Sequence, residues 1–564
     1  MNAGSMVTDV VVVGAGIGGM SAAIAAAARG LDVVLLEKGA RVGGAAAYSG
    51  GQVWVGGNHV AEREGLSDSV ADTLAYVAAA ASRDEASLDH HLAAQWIEGA
   101  RTAARWFEDA GVISWQVIPD YPDYYFPDLP GSRPAGRYLT GAPFDGGALG
   151  PERDRLLVSP HFPVGITYAE MFAWGGLSSK TEWDWDLVAR RRDADVLTFG
   201  TGIAAAFFRG VLDHGVDVRT GHEVVGLVVA DGAVTGVRVR GPEGEEVVTG
   251  RVVLATGAHD WSEELTAKFT GIPPEDGGSV APGTLSGDAI ALVEQVGGSP
   301  DSLPAWAAPV LPGYRLDVPA FEGDTGFRAC YEHCLPHTFL VNSLGERFCD
   351  DSFHSRIVAA ALSDGDSGGN LPFFMIWDSR HHRRYGLGAT PPGGEYPAGL
   401  VERGATLADL ARELGLPPET LEATAARFNR HAPEGVDPDF GRGTNLSVRK
   451  FRGDGRHAPN PNVGPVSDPP FFGMRMRLLN TGIAAAGVRT GDHGRVLDGA
   501  GAPVPGLYAA GECSARAAAG VGYNSGYSLS RAMAYGFLAA QAIADTPADR
   551  APQGVDTVTG DTKV

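Results

Sequence analysis

The sequence predicts an α/β fold: a Rossmann-like parallel sheet carried by the two ends of the chain, with an α+β capping domain inserted between them. Three observations predict it. The N-terminal stretch DVVVVGAGIGGMSAAIAAAARGLDVVLLEKG reads as strand, glycine turn, Ala-rich helix and second strand. Continuous Val/Leu runs of this kind mark strands buried on both faces of a parallel sheet. A second block from Val216 to Gly257, and a third, GRVLDGAGAPVPGLYAAGE, add short strands broken by glycine turns. Between Ser302 and Pro470 the composition shifts toward His, Pro and aromatic residues.

In chain order, the first unit ends its second strand at Glu37, and an aromatic-rich insertion follows near 115–190. Val216–Gly257 alternates apolar and polar residues, with turns at ADG and GPEG, as antiparallel strands do. The inserted part holds the helical passage TLADLARELGLPPETLEATAARFNRHA. Lying between two blocks of one sheet, it reads as a cap, with substrate bound in the crevice at the junction. The chain closes on the apolar helix SLSRAMAYGFLAAQAIA. The expected organisation is 1–301 for the first part of the nucleotide domain, 302–470 for the cap and 471–545 for the return. A polar tail, 546–564, is expected to be disordered.

At 564 residues, 44% hydrophobic and 20% charged, the chain can bury two full cores as a globular protein. Its 45 basic and 68 acidic side chains give a net charge of −23, which excludes a nucleic-acid surface. Cys330, Cys334, Cys349 and Cys513 are too few and scattered for a disulfide framework, so a reducing, cytoplasmic setting is expected. With no basic leader and no membrane-length apolar run, the protein is expected to be at most loosely associated with a membrane. CYEHCLPH, Cys330 to His337, crowds its ligands without a distant second pair, so no metal site is expected there.

Gly14, Gly16 and Gly19 form GxGxxG directly after the first Val strand, and Glu37 closes the next strand. The first glycine permits the turn, the second lets a pyrophosphate approach the backbone, and the third lets helix and strand pack. The helix N-terminus offers N–H groups to phosphate, and the acid suits a ribose hydroxyl. Dinucleotide binding follows.

Further motifs narrow the cofactor. ATG (Ala255 to Gly257), GDA (Gly287 to Ala289) and GLYAAGE ending at Glu512 accompany RVGGAAAYSGGQVWVGGN (Arg41 to Asn58) and LVNSLGERFCDDS (Leu340 to Ser352). Jointly these resemble the fumarate reductase/ketosteroid dehydrogenase group of FAD enzymes over nearly the whole chain. The resemblance implies a glutathione-reductase-type FAD domain. It implies FAD contacts near Glu37, Ala45, Ser49, Gly51, Val224, Asp288, Glu512 and Leu529, with Lys38, Gly44, Gly50, Ala255, Gly257 and Ser528 in the same stretches. Members that hold FAD covalently use a His near Ala46 to Tyr48; none stands here, so non-covalent FAD is expected.

The fumarate branch is similar in outline but clamps two carboxylates with His and Arg after GLYAAGE. That region has no His here, and Arg516 and Arg356 are out of frame. YPDYYFPDLPGSRPAGRYLTGAPFDG and PFFMIWDSRHHRRYGLG look like segments of the ketosteroid dehydrogenases instead. The final motif is YPGPGAT in the 1-dehydrogenases and close to YxSGxSL in the 4-(5α)-dehydrogenases; this chain reads YNSGYSL, Tyr523 to Leu529. Desaturating a ketone needs its carbonyl polarised, a proton taken from the adjacent carbon and a hydride accepted by flavin N5. Tyr523 is an uncharged donor suited to an apolar pocket, and the Gly526 N–H is a second donor. Ser525 is a relay or orienting group, Ser528 a helix cap, and Tyr527 a packing residue. Where the 1-dehydrogenases follow their RFxNE-like motif with a catalytic Tyr, RFCDDSFHSR offers His354 or Ser355. The partner to Tyr523 is therefore Tyr124, Tyr125, Tyr331 or His354.

The expected function is desaturation of the CH–CH bond beside the ketone of a 3-ketosteroid-like substrate, with electrons passed to an unidentified acceptor. Reduction of an enone or enoate and a non-catalytic flavin protein are the alternatives.

Overall fold

Parallel pairing organises the nucleotide domain. The computed structural model describes residues 5–161, 165–317, 325–363 and 369–546; from 547 on, the tail expected to be disordered lies outside them. Ser5–Val13 runs parallel to Val33–Glu37 on one side and to Gly244–Leu254 on the other. Asp217–Thr220 and Pro503–Ala509 extend the sheet outward, both parallel, and Arg495–Leu497 closes one edge antiparallel. All five residues of VVLLE are buried, as two-sided covering of a parallel sheet requires. Ala233–Gly241 pairs antiparallel with both Gly244–Leu254 and Glu223–Ala230, which is the meander expected from the alternating block.

Helices Ile17–Ala27 and Tyr527–Asp545 cover one face, so the two ends of the chain meet. They approach closely because their contact is small: a Cβ on Gly536 would collide with the Gly18 carbonyl, and Ser21 Oγ donates to Met533 O at 2.7 Å.

The inserted part has its own antiparallel sheet, ordered Thr338–Asn342, Phe373–Trp377, Phe471–Arg475, Glu402–Gly404. Leu410, Leu421 and Phe428 pack against Phe339, Val341 and Ile376 to form its core. A second sheet pairs Leu311–Arg315 with Phe327–Ala329 and Arg477–Leu479. The boundary drawn at 470 therefore falls too early. Phe471–Arg475 and Arg477–Leu479 complete sheets of the insertion, because backbone pairing rather than composition decides where the chain returns.

The aromatic segment is held by a buried ion network. Arg137, 1% exposed, donates to both oxygens of Asp68 at 2.8 Å and to Asp123 Oδ2 at 2.8 Å. Trp54 Nε1 donates to the other Asp123 oxygen at 2.8 Å. The network fixes the loop carrying Tyr124 and Tyr125. Arg137→Met leaves the buried Asp123 without its cation and Asp68 with Arg133 alone, and should cost about 3–5 kcal/mol of unfolding free energy. Urea denaturation checks it; a loss below about 1 kcal/mol would mean that packing alone holds the loop.

Candidate active site

A cleft opens above the parallel strands. Gly14, Gly16, Glu37, Lys38, Gly44 and Ala45 line it from the first unit. Val224, Ala255, Gly257 and Asp288 line it from the middle of the chain, and Glu512, Ser528 and Leu529 from the end. Gly14 has φ of 103°, and a Cβ there would strike the Ala255 carbonyl where two strands meet. A Cβ on Gly16 would meet nothing within 4 Å; it would stand in the space a pyrophosphate needs. Gly19 stands behind the wall, where a Cβ would collide with the Gly14 carbonyl. Glu37 accepts from Ala15 N at 2.9 Å and Gly39 N at 2.8 Å, tying the glycine turn to the second strand. Burial pushes its carboxyl above the usual range, against those two bonds.

Lys38 pairs with Asp288 at 2.6 Å across the rim. Thr256, absent from the sequence expectations, also lines the cleft, and its Oγ1 is buried without a partner. An orphaned hydroxyl, an open glycine shelf and N–H groups at a helix start form a donor set that fits FAD. Ser49, Gly50 and Gly51 stand off this wall. Ser49 Oγ donates to Ala46 O at 2.8 Å, Gly50 O accepts from Tyr168 Oη at 2.7 Å, and Gly51 packs on Phe199.

Three rings converge at the start of the Tyr523–Leu529 segment, whose other end, Ser528 and Leu529, lines the cleft. Tyr124, Tyr523 and His354 have centroids 5.6 Å (Tyr124–His354), 5.9 Å (His354–Tyr523) and 6.0 Å (Tyr124–Tyr523) apart. His354 opens the helix His354–Ala361 and is 4% exposed. Its position is set by Asp351, which accepts from Leu340 N at 2.7 Å and pairs with Arg442 at 2.6 Å. His354 Nε2 lies 3.3 Å from Ser355 Oγ and its Nδ1 is buried without a partner. Burial, reinforced by the charges of Arg452 and His333, holds its pKa well below 6.5, so the ring is neutral. Burial drives the Tyr523 hydroxyl well above its ordinary value, so it keeps its proton. Tyr125 packs on Phe353, with ring centres 5.7 Å apart, and Phe353 lies 5.3 Å from His354; Tyr125 also lines another cavity with Arg356. Tyr331 lies nearby under the Arg452 guanidinium, 4.8 Å from its ring centre.

The turn between Tyr523 and the last helix is exact in its demands. Asn524, fully buried, accepts from Tyr76 Oη at 2.7 Å and Tyr124 N at 2.9 Å, and donates to Tyr138 Oη at 2.6 Å. Ser525 Oγ donates to Gln52 Oε1 at 2.6 Å, and Gln52 Nε2 donates to Tyr121 Oη at 3.0 Å. Gly526 has φ of 84°, and a Cβ there would lie 2.7 Å from Trp54 N. The helix starts at Tyr527 with Gly526 as its N-cap and no side-chain cap bond, so the capping role expected of Ser528 is corrected: Ser528 faces the cleft. Tyr527 is packed between Trp54 and Trp96, each 4.8 Å away. Sequence reasoning missed Asn524 and Gln52, whose partners lie far away along the chain.

In CYEHCLPH, Cys334 Sγ donates to Ser352 O at 3.1 Å; among the described residues no group of three or more His, Cys, Asp or Glu is placed to hold a metal. Nor is any described helix long and apolar enough to cross a membrane.

The model of the FAD binding domain family matches residues 9–529. A 3-oxosteroid 1-dehydrogenase of Mycobacterium tuberculosis (strain ATCC 25618 / H37Rv) is 31% identical over 96% of this chain and 99% of its own. A 4-oxocyclohexanecarboxylate 2-dehydrogenase of Sinomonas cyclohexanicum is 32% identical over 95% of this chain and 92% of its own. Among solved structures, a 3-ketosteroid delta1-dehydrogenase of Sterolibacterium denitrificans, in complex with 1,4-androstadiene-3,17-dione, has a TM-score of 0.85 at 27% identity. That alignment covers 95% of this chain and 99% of the other.

Asn524→Ala strands two buried hydroxyls and the Tyr124 N–H, and should lower unfolding free energy by about 2–4 kcal/mol. Thermal and urea melts of the FAD-loaded protein check this, and an unchanged midpoint would show that water replaces the amide.

Proposed function

The chain belongs to the FAD binding domain family, within the FAD-dependent ketosteroid dehydrogenase group related to fumarate reductase, and from that premise we propose how its residues desaturate the CH–CH bond beside a ring ketone. One observation carries the reading. The segment Tyr523–Leu529 joins the ring cluster to the cofactor cleft, with Tyr523 among the rings and Ser528 and Leu529 on the cleft wall. FAD, when bound, supplies the hydride acceptor for this chemistry.

The Tyr523 hydroxyl, kept protonated by burial, donates to the ketone oxygen. The Gly526 N–H, at the positive end of the last helix, is the second donor. Polarisation makes the neighbouring C–H acidic, and neutral His354, with its unpartnered Nδ1, takes the proton. Tyr124 bridges acceptor and donor; its N–H donates to Asn524 Oδ1 at 2.9 Å and its carbonyl accepts from Asn445 Nδ2 at 2.8 Å. Ser525, engaged with Gln52, orients the turn. Tyr125 holds the wall beyond Phe353 and contributes no proton. FAD is held without a covalent bond in this reading, and four free, buried cysteines support a reducing compartment.

Anaerobic mixing with ring ketones tests the function: flavin bleaching with a located product double bond supports desaturation. Reduction by dithionite followed by reoxidation only with an enone would reverse the assigned direction. Tyr523→Phe should slow bleaching by about 10²–10³-fold; a variant as fast as wild type would remove Tyr523 from carbonyl activation. His354→Ala should slow it by about 10²–10⁴-fold. Because the His354 pKa lies well below 6.5, its rate limb falls only in acid, and bleaching should be flat from neutrality down past pH 6.5. A limb centred at 6.5 would assign the proton to another group.

A further inference from the structure

Two guanidinium groups border the ring cluster, and neither forms an ion pair among the described residues. Arg516 is 5% exposed; its Nη2 donates to Gly522 O at 3.1 Å, while Nε and Nη1 are buried without partners. Its guanidinium carbon lies 5.7 Å from the Tyr523 ring centre. The other fully buried arginines, Arg137, Arg442 and Arg531, are each ion-paired to carboxylates. Arg452 ends the short helix Leu446–Arg452, next to Phe451, which packs on Tyr121. Its guanidinium lies over the Tyr331 ring, 4.8 Å from the centre, and Val448 of the same helix packs with Tyr124, Phe353 and Tyr523; its charge helps hold the His354 pKa down.

Arg516, buried with two nitrogens unpartnered, and Arg452, part-buried over a phenol ring, are cations costly to desolvate unless an anion meets them. A neutral hydrocarbon ketone filling this space would cover Arg452 and offer it nothing. The chain as a whole carries −23, so its general field repels anions, and only a local charge pair can draw one in.

We propose that the ring ketone carries a carboxylate, and that Arg452 holds this carboxylate while Tyr523 and the Gly526 N–H hold the carbonyl. Arg516, behind the Tyr523 ring, adds positive potential to the same pocket. A guanidinium suits the task because its planar fork matches a carboxylate in two parallel hydrogen bonds. The substrate is then a small keto acid, with carbonyl and carboxylate at separate positions on the ring. This inference rests on the desaturation reading above.

The test uses the FAD-loaded protein with three probes under anaerobic conditions: 4-oxocyclohexanecarboxylate, its methyl ester, and androst-4-ene-3,17-dione. Half-saturation for bleaching should be about 10- to 100-fold lower for the acid than for the ester. Arg452→Met should raise the acid's value by about the same factor and bring the acid-to-ester ratio toward one, with Arg452→Lys intermediate. Should Arg452→Met fail to retain FAD, the wild-type ratio decides alone. Equal bleaching by acid and ester, preference for the steroid, or a ratio untouched by Arg452→Met would overturn the carboxylate assignment and leave desaturation standing. Failure of every ring ketone to bleach the flavin would remove the desaturation reading and this inference together.

Discussion

One buried amide holds the catalytic half of this molecule in register. Asn524 has no exposure, and its donors and acceptors are matched by Tyr76, Tyr138 and the backbone of Tyr124. Inside a low-dielectric interior an unsatisfied amide is expensive, so the arrangement is all or nothing. The consequence is mechanical. The residue before it, Tyr523, and the residue it grips, Tyr124, cannot separate without breaking several buried bonds at once. The ring cluster thereby acquires a fixed edge, to which His354 is added from the insertion through Asp351, Arg442 and Leu340.

The two domains contribute different chemistry to the junction. The nucleotide domain brings glycines, helix starts and Glu37, all of which suit phosphate and ribose. The insertion brings the neutral imidazole of His354, the Tyr331 phenol and the Arg452 guanidinium, which forms no ion pair among the described residues. Burial produces the useful protonation states on both sides, raising Tyr523 and lowering His354, so donor and acceptor are uncharged together near neutrality. A pocket built this way excludes water while keeping a proton to give and a lone pair to receive one.

Much of this was legible in the residues. The Val runs, GxGxxG and Glu37 specify a parallel nucleotide-binding sheet because burial on both faces and close backbone approach leave few other solutions. Tyr523, Tyr124 and His354 could be named as candidates, since few uncharged groups can polarise a ketone. Telling the partners apart required space: Tyr124 and Tyr125 are adjacent in sequence, and only the fold sets the Tyr124 ring 6.0 Å from Tyr523 and the Tyr125 ring on Phe353. Asn524 could not be read, because its partners Tyr76, Tyr124 and Tyr138 lie 386 to 448 residues away. Arg452 was silent for a related reason: what marks it is that no carboxylate among the described residues pairs with it in three dimensions. The return at 470 misled because composition changes before strand pairing does.

The continuity of Tyr523–Leu529 has a bearing on how such enzymes diversify. Carbonyl donor and cofactor wall belong to a single rigid element, so the span from ketone oxygen to hydride acceptor is a constant of that element. In the mechanism proposed above, the proton acceptor His354 and the anchoring Arg452 arrive from the inserted part, whose seat against the first could change by repacking. Which ring bond loses its hydrogens then becomes a property of the hinge between two bodies. A lineage could exchange one regiochemistry for another, or one substrate for a smaller or more acidic one, by remodelling that seat and leaving the donor frame untouched.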